Sequence, residues 1–521
     1  MSPSGRFRWD AGAIAQAGAS LGLAAKPPSC RADGQAHLRC YGLEGWQRLA
    51  LGRHHLAAHP DLPVHHVESG DTSLTLLGYA LDPERPAATD REVIASWLDR
   101  LARGDDLFEI VHSAAGRWVL LHRRPEGDRI LHDAAGLRTV VHTVPGIEES
   151  WCASDTPLLA AQLGLAEDPE RRRQWIGASG RSIIWIPLRE TLHPDCRALI
   201  PNHVLDLETG EQHRFWPVHP RVDRGLAEVA DKGAELLRRI VVAGAQRFPL
   251  ALGLTAGIDS RMLLAALREQ RESVFYFTFC RHRSTRGTHD EVQIPAAILA
   301  DAGLEHHILE CDAPDDPALH AAFQASTATP SPKRWEEALD LARRVPADRV
   351  RVSGHVGETA RATFSPRIDT SLRRLVRRHH PSSVRAATRA LGPWYDDCRE
   401  LSDRTGYTVR DLHYWESRMG RWAASSQNQY DISGETFTPF NCRALIELLL
   451  AAPEPARDKP NGSQLSFALI ERLWPELARY PVNPTLTAKK ERLARAGRFT
   501  RRRFLRWLEQ KRRILKARRY R

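Results

Sequence analysis

The chain has 521 residues, enough for two or three domains with a large core. Apolar residues make up 42% and charged residues 27%, an ordinary globular balance, and no run approaches the roughly 18 apolar residues of a membrane span. The net charge of +11 is concentrated at one end: Lys489 to Arg521 carries sixteen Lys/Arg against two Glu, or +14, which leaves about −3 for the rest.

The first thirty residues contain Arg6, Arg8 and Asp10 and no apolar run of signal-peptide length, and the eight cysteines show no CxxC spacing. Both features suit a cytoplasmic protein with reduced thiols better than a disulfide framework. Four His-His pairs lack acid or Cys residues at ligand spacing, so no metal site is expected from them. Up to about residue 215 the pattern is mixed strands and short helices. Thr72–Tyr79 reads as a strand and Asp90–Leu101 as a helix. Arg117–His122 and Arg129–His132 read as a hairpin around Pro125–Asp128. Asp133–Arg138 makes a turn, and Trp151–Asp155 is expected to open a helix. Pro217 and Pro220 mark a linker, after which Leu226–Val242 is periodic at helical spacing.

The next stretch organises the second half. Leu250–Gly253 is an apolar strand, small residues follow, and Met262, Leu263, Ala266 and Leu267 recur at helical spacing. A helix beginning at such a bend presents unpaired N–H groups and the positive end of its dipole, which suits a phosphate. Asp259 stands where a carboxylate can hold Mg²⁺, and Ser260 where a hydroxyl can bond a phosphate oxygen. No Gly-Lys-Ser/Thr follows, which excludes a Walker loop. Ser273–Phe279 is continuously apolar, as in a parallel strand covered on both faces. A helix over 290–302, a strand at His306–Glu310 and another at Arg349–Val352 complete an alternation. That alternation predicts a doubly wound parallel sheet with its ligand at the carboxyl edge. Ser353-Gly-His-Val-Gly-Glu358 then supplies a second acid, Glu358, whose plain alternative is a helix-start acid on the dipole. Arg361, one turn later, faces either the same phosphates or solvent. In the tail, Phe504, Leu505, Leu508 and Leu515 share one helical side. That side suits docking on the body, an anionic membrane surface or an acidic partner, and no specific nucleic-acid binding is expected.

Thr255-Ala-Gly-Ile-Asp-Ser260 resembles the Ser-Gly-Gly-x-Asp-Ser pyrophosphate loop of the asparagine synthetase family, which includes β-lactam synthetases and lasso-peptide cyclases. Thr255 and Ala256 depart from it. Ser353–Glu358 resembles a shortened form of the family's Ser-Gly-x-Gly-x-Asp-Glu loop, and Thr438–Arg443 its Arg-x-Pro-Phe-Leu-Asp segment, with Asn441 near the Asp. Upstream, Gly116-Arg-Trp-Val, Asp133–Arg138, Ala153-Ser-Asp155 and Thr89-Asp-Arg-Glu92 are similar to motifs of the family's glutaminase domain. The resemblance implies a mixed α/β and α+β protein in three parts. A degenerate αββα N-terminal-nucleophile-like sandwich would span residues 1–217, a doubly wound ATP-pyrophosphatase domain 218–487, and a basic amphipathic tail 488–521.

The resemblance also implies a function: an ATP-dependent ligase that adenylates a small-molecule or peptide carboxylate and passes it to an amine or ammonia. It assigns ATP and pyrophosphate to Leu254, Thr255, Ala256, Gly257, Asp259, Ser260, Phe279, Gly354 and Arg361, and Mg²⁺ to Asp259 and Glu358. The family's N-terminal Cys nucleophile is absent, since residue 2 is Ser, and its oxyanion Asn-Gly reads Leu77-Gly78. No glutaminase activity is therefore expected. Serines at Asn461–Ser466 stand where the family carries a late lysine, leaving Lys459 as the nearby catalytic cation. The alternative is a catalytically silent homologue, binding nucleotide or serving as a scaffold and held at a membrane by its tail.

Overall fold

The computed structural model describes residues 21–25, 45–145, 150–176, 186–280, 287–310, 314–360, 371–379, 383–458 and 463–484. Lys459, Arg361 and the basic tail lie outside the described residues. The strands before residue 215 are β1 (Leu21–Ala25), β2 (Gln47–Leu51), β3 (His54–Ala58), β4 (Val64–Ser69), β5 (Thr72–Leu81) and β6 (Ala115–Arg123). They continue with β7 (Arg129–His132), β8 (Val141–Thr143), β9 (Trp151–Ala153), β10 (Cys196–Ala198), β11 (His203–Asp206) and β12 (Gln212–Arg214). They form two six-stranded sheets, ordered β10-β8-β9-β1-β3-β2 and β12-β11-β7-β6-β5-β4. The pairs are antiparallel, as in β5 against β6 and β8 against β9.

Alternation along the strands sorts the side chains into layers. On β6, Val119 and Leu121 join Leu56, Leu77 and Cys152 between the sheets. Trp118 and Leu120 point the other way, onto Val93, Ile94 and Trp97 of the Asp90–Ala102 helix. Trp151 and Ala153 face outward onto Leu159 of the Thr156–Leu163 helix. The layer order is thus helix, sheet, sheet, helix. The expectation of a helix opening at Trp151 is corrected here: Trp151–Ala153 is a buried strand, and the helix starts at Thr156 with Asp155 as its cap. The alternating Trp-Cys-Ala side chains are consumed by two different cores, which a helix could not serve. The Asp90 helix opens on a capping box, Thr89 Oγ1 accepting from Glu92 N and Glu92 Oε2 accepting from Thr89 N, worth about 1 kcal/mol.

The second half is a five-stranded parallel sheet: β13 (Leu250–Gly253), β14 (Phe275–Cys280), β15 (His307–Glu310), β16 (Val350–Val352) and β17 (Thr436–Phe437). Its order is β15-β14-β13-β16-β17, so chain order reverses beside β13. Both faces are covered. Leu250, Leu252 and Val352 pack with Leu237 and Val241 of the Leu226–Arg247 helix, while Ala251 and Phe277 pack with Phe323 and Leu339. Three of these strands start slightly later than the sequence suggests: Arg268–Ser273 forms a 3-10 turn before β14, and His306 and Arg349 precede β15 and β16. Among the described residues no helix is long and apolar enough to cross a membrane.

The halves are joined by buried polar contacts. Asn441, fully buried, donates to Gly116 O (2.7 Å) and Asp133 Oδ1 (2.8 Å) and accepts from Ala135 N (2.8 Å). Asp133 also accepts from Leu137 N and Arg138 N at 2.8 Å each, which closes the turn read from the sequence, and from Trp118 N at 3.3 Å. Arg117 of β6 grips Asp431 at 2.6 and 2.7 Å and Glu435 at 2.9 Å, and Arg138 reaches Glu435 at 2.7 Å. Burial by itself would raise the Glu435 pKa, but the Arg138 and Arg117 guanidiniums outweigh it and hold it well below the ordinary carboxylate value.

Asn441→Ala strands several buried donors and acceptors at once and is expected to cost about 2–4 kcal/mol in denaturant unfolding. A loss under about 0.5 kcal/mol would mean that the halves do not depend on this contact. The Glu435 contribution is present above the ordinary Glu pKa of about 4.3 and is lost as pH falls through the lowered native value. Glu435→Gln should therefore be less stable than the native chain at neutral pH and lose less of its stability on acidification.

Candidate functional site

Reversal of chain order beside β13 opens a crevice between its loop and that of β16, because the connections leave on opposite faces. Leu250–Leu252 pairs in register with Val350–Val352, so Leu254–Gly257 and Ser353–Gly357 emerge side by side at the carboxyl edge. They touch: a Cβ on Gly354 would lie 3.1 Å from Asp259 Cβ, an approach that only glycine permits without a shift. Val356, in the same loop, holds a φ of +72°, a conformation costing about 1–3 kcal/mol for a β-branched residue.

The β13 turn bends as the sequence suggested, and the Ile258–Ala266 helix follows with Gly257 as cap and no side-chain cap bond. Its amides already have partners. Thr255 N donates to Ser260 Oγ, Gly257 N to Thr255 Oγ1, and Ala256 N to Glu291 Oε2, each at 3.1 Å. From behind, Asn483 N donates to Ala256 O at 3.1 Å. Arg261, fully buried, donates to Tyr480 O (2.6 Å) and Pro481 O (2.8 Å), fixing that brace against the helix. A phosphate entering the turn therefore exchanges places with two rotatable hydroxyls and one carboxylate. The Glu291 pKa is raised, by burial first and by Asp290 in addition, against the hydrogen bond from Ala256.

A cavity of about 560 Å³ lies over these loops. Of the residues singled out in the sequence, Leu254, Thr255, Phe279 and Gly354 line it. Ala256, Gly257, Asp259 and Ser260 form the turn and helix start beneath. Glu358 opens the short Gly357–Ala360 helix, and its carboxylate accepts from the Tyr414 hydroxyl. Among the described residues no group of three His, Cys, Asp or Glu is placed to hold a metal ion. Magnesium is commonly held by one or two carboxylates with phosphates and water supplying the rest, so a pair of acids is chemically adequate.

Other lining residues were not singled out: Glu291, Lys333, Glu337, Arg351, His355 and Tyr430. Arg351 left a trace, a charge inside an otherwise apolar parallel strand; Lys333 left none. Burial, with Arg351 next, draws the His355 pKa down to about 4, so this imidazole is neutral at pH 7. The Tyr430 hydroxyl donates to Glu337, and the Arg351 guanidinium lies 4.5 Å above the Tyr430 ring. At the expected place of the late lysine, Ser463 caps the Gln464–Leu473 helix and donates to Ala456 O at 3.0 Å. A serine is structural there.

No family model matches the chain, and no curated protein matches it. Among solved structures, a glutamine phosphoribosylpyrophosphate amidotransferase from B. subtilis, complexed with ADP and GMP, matches at 11% identity with a TM-score of 0.23. The match covers 57% of this chain and 62% of that one, so it spans less than two thirds of that enzyme. The likeness is distant, and the functional reading rests on the site.

If Glu291 competes with phosphate for the Ala256 amide, neutralising it favours the ligand. Glu291→Gln is expected to bind pyrophosphate several-fold tighter than the native chain at pH 8 by titration calorimetry. The gap should narrow from pH 8 downward as the native carboxyl, whose pKa burial raises, takes up its proton. Equal affinities across that range would remove Glu291 from the turn's function.

Proposed function

We propose that the chain is an ATP-dependent amide-forming ligase of the asparagine synthetase kind, acting without glutaminase activity. One observation carries this reading: the two motif loops meet beside a cavity at the reversal point of the parallel sheet, with Gly354 pressed onto Asp259. In the proposed reaction a substrate carboxylate oxygen bonds to the α-phosphorus of ATP, and the bond to the bridging oxygen breaks, releasing pyrophosphate. An amine or ammonia then attacks the acyl carbon and AMP leaves. The turn amides and the Ser260 hydroxyl bind the departing phosphates, Phe279 flanks the nucleotide, and Gly354 keeps the second loop close. Asp259 and Glu358 are the proposed Mg²⁺ ligands, and the ion would supply charge neutralisation for the leaving pyrophosphate. Lys459 and Arg361 keep their sequence-based roles as cations of the site.

Loss of glutaminase chemistry is supported at Leu77-Gly78. Leu77 is buried between the sheets, and Gly78 N donates to Pro63 O at 2.9 Å, so that amide is already used. We therefore assign residues 1–217 to a structural role, with 218–487 as the synthetase part. The tail from residue 488 is assigned to an anionic surface or an acidic partner. A second reading, a silent nucleotide-binding or scaffold homologue, is favoured by the internal satisfaction of the Thr255, Ala256 and Gly257 amides.

Exchange of labelled pyrophosphate into ATP, run with a panel of carboxylic acids, separates the two. The ligase reading expects acid-dependent exchange that falls at least a hundredfold in Asp259→Ala. Exchange absent with every acid, while ATP still binds, leaves the silent homologue.

A further inference from the structure

A second cavity, of about 920 Å³, lies on the seam between the halves and shares no lining residue with the one over the turn. Phe108 and His112 reach it from the first half, Phe215 and Trp216 from just before the linker, and Arg443 and Glu447 from the second half. The Phe108 and Phe215 rings are stacked 4.3 Å apart, and Val218, two-thirds exposed, adds an uncovered apolar side chain. Five arginines and five carboxylates line the cavity, so a ligand of one sign alone would unbalance it.

Two of these charges face each other without meeting. Arg443 and Glu447 stand one turn apart on the Arg443–Leu450 helix, where side chains four residues apart are neighbours, yet they form no ion pair with each other. Arg443 donates to the Asn202 side chain and lies over the Phe215 ring at 4.8 Å and the Trp415 ring at 5.6 Å. It is 4% exposed, and burial, the largest effect, draws its pKa down to about 10, which leaves it charged at pH 7. Glu447 accepts from the Trp216 indole at 3.0 Å, with His112 Nε2 at 3.6 Å. Burial lowers the His112 pKa, so that imidazole is neutral at pH 7 and gives Glu447 no full countercharge. A buried guanidinium that lines a cavity with no carboxylate upon it is compensated when an anion enters.

We infer that this cavity binds a free α-amino acid with an aromatic side chain, its carboxylate on Arg443, its ammonium on Glu447 and its ring on the Phe108–Phe215 stack. Such a ligand is neutral overall, in keeping with the matched charges of the wall. Its two ionic groups sit on one carbon, which suits opposite charges one helical turn apart that do not meet. The apolar floor covers the remainder of the molecule. No residue of the phosphate turn lines this cavity, so the amino acid held here is an effector that bridges the halves and not the acyl substrate. The site stands apart from the ligase reading and survives if that reading falls.

The test uses the full chain and titration calorimetry, with L-phenylalanine as the probe. Three relatives each lack one part: 3-phenylpropionate the ammonium, phenethylamine the carboxylate, and L-alanine the ring. L-Phenylalanine is expected to bind at least tenfold tighter than each of them. In Glu447→Gln, a change at a side chain that is 40% exposed, its advantage over 3-phenylpropionate should disappear and its advantage over phenethylamine remain. Far-ultraviolet circular dichroism checks the fold of the variant, and the comparison of the four ligands on the native chain decides the matter without it. Equal binding of L-phenylalanine and any one relative overturns the inference, as does no binding of any. So does an unchanged profile in Glu447→Gln, which would put the amino acid elsewhere on the chain.

Discussion

Three rungs of parallel pairing, Leu250–Leu252 against Val350–Val352, place every other feature of the site. They bring together two loops far apart in sequence and set them at the carboxyl edge, where successive connections leave on opposite faces of the sheet. The crevice follows from topology before any side chain is considered. Gly354 against Asp259 is the tightest expression of that constraint, and the positive φ of Val356 is strain held in place by it.

The remainder of the molecule holds this sheet still. The N-terminal sheets contribute hydrogen-bond partners to Trp415, Thr436 and Asn441. Asn441 is sewn to Gly116, Asp133 and Ala135, the Trp415 indole donates to Ala134 O at 2.8 Å, and the Tyr79 hydroxyl to Thr436 O at 2.8 Å. A stack of Arg129, Phe108, Phe215 and Arg443 adds a further clamp, with the two phenyl rings stacked 4.3 Å apart and nearly parallel. One apolar cluster extends from Tyr79 to Leu477, so the halves share a core. A first half without glutaminase machinery can still matter to the second half, because it completes that core.

Charge in the site is arranged asymmetrically. At the turn, donors are satisfied internally by the Ser260 and Thr255 hydroxyls and by the Glu291 carboxylate. Across the cavity, cations rest on aromatic rings instead of on acids.

The sequence by itself determined the elements whose signal is local. Strand-forming runs and a hairpin turn marked β5 and β6, helical spacing over 226–242 marked most of the Leu226–Arg247 helix, and small residues before a periodic run marked the β13 turn. Continuous apolarity was enough to announce β14 as a covered strand, and Leu254, Thr255, Phe279 and Gly354, singled out in the sequence, line the cavity. Trp151–Ala153 misled because three residues serving two cores carry too short a pattern to tell strand from helix. Only the tertiary structure decided that Glu291, Lys333, Arg334 and His355 share a neighbourhood with the turn. Their positions depend on strand order and on helices packed across the sheet, and such distances are set by burial between segments remote in the chain. Spacing along a sequence records local hydrogen bonding and periodicity; it has no means of recording which face of a sheet a later helix will cover.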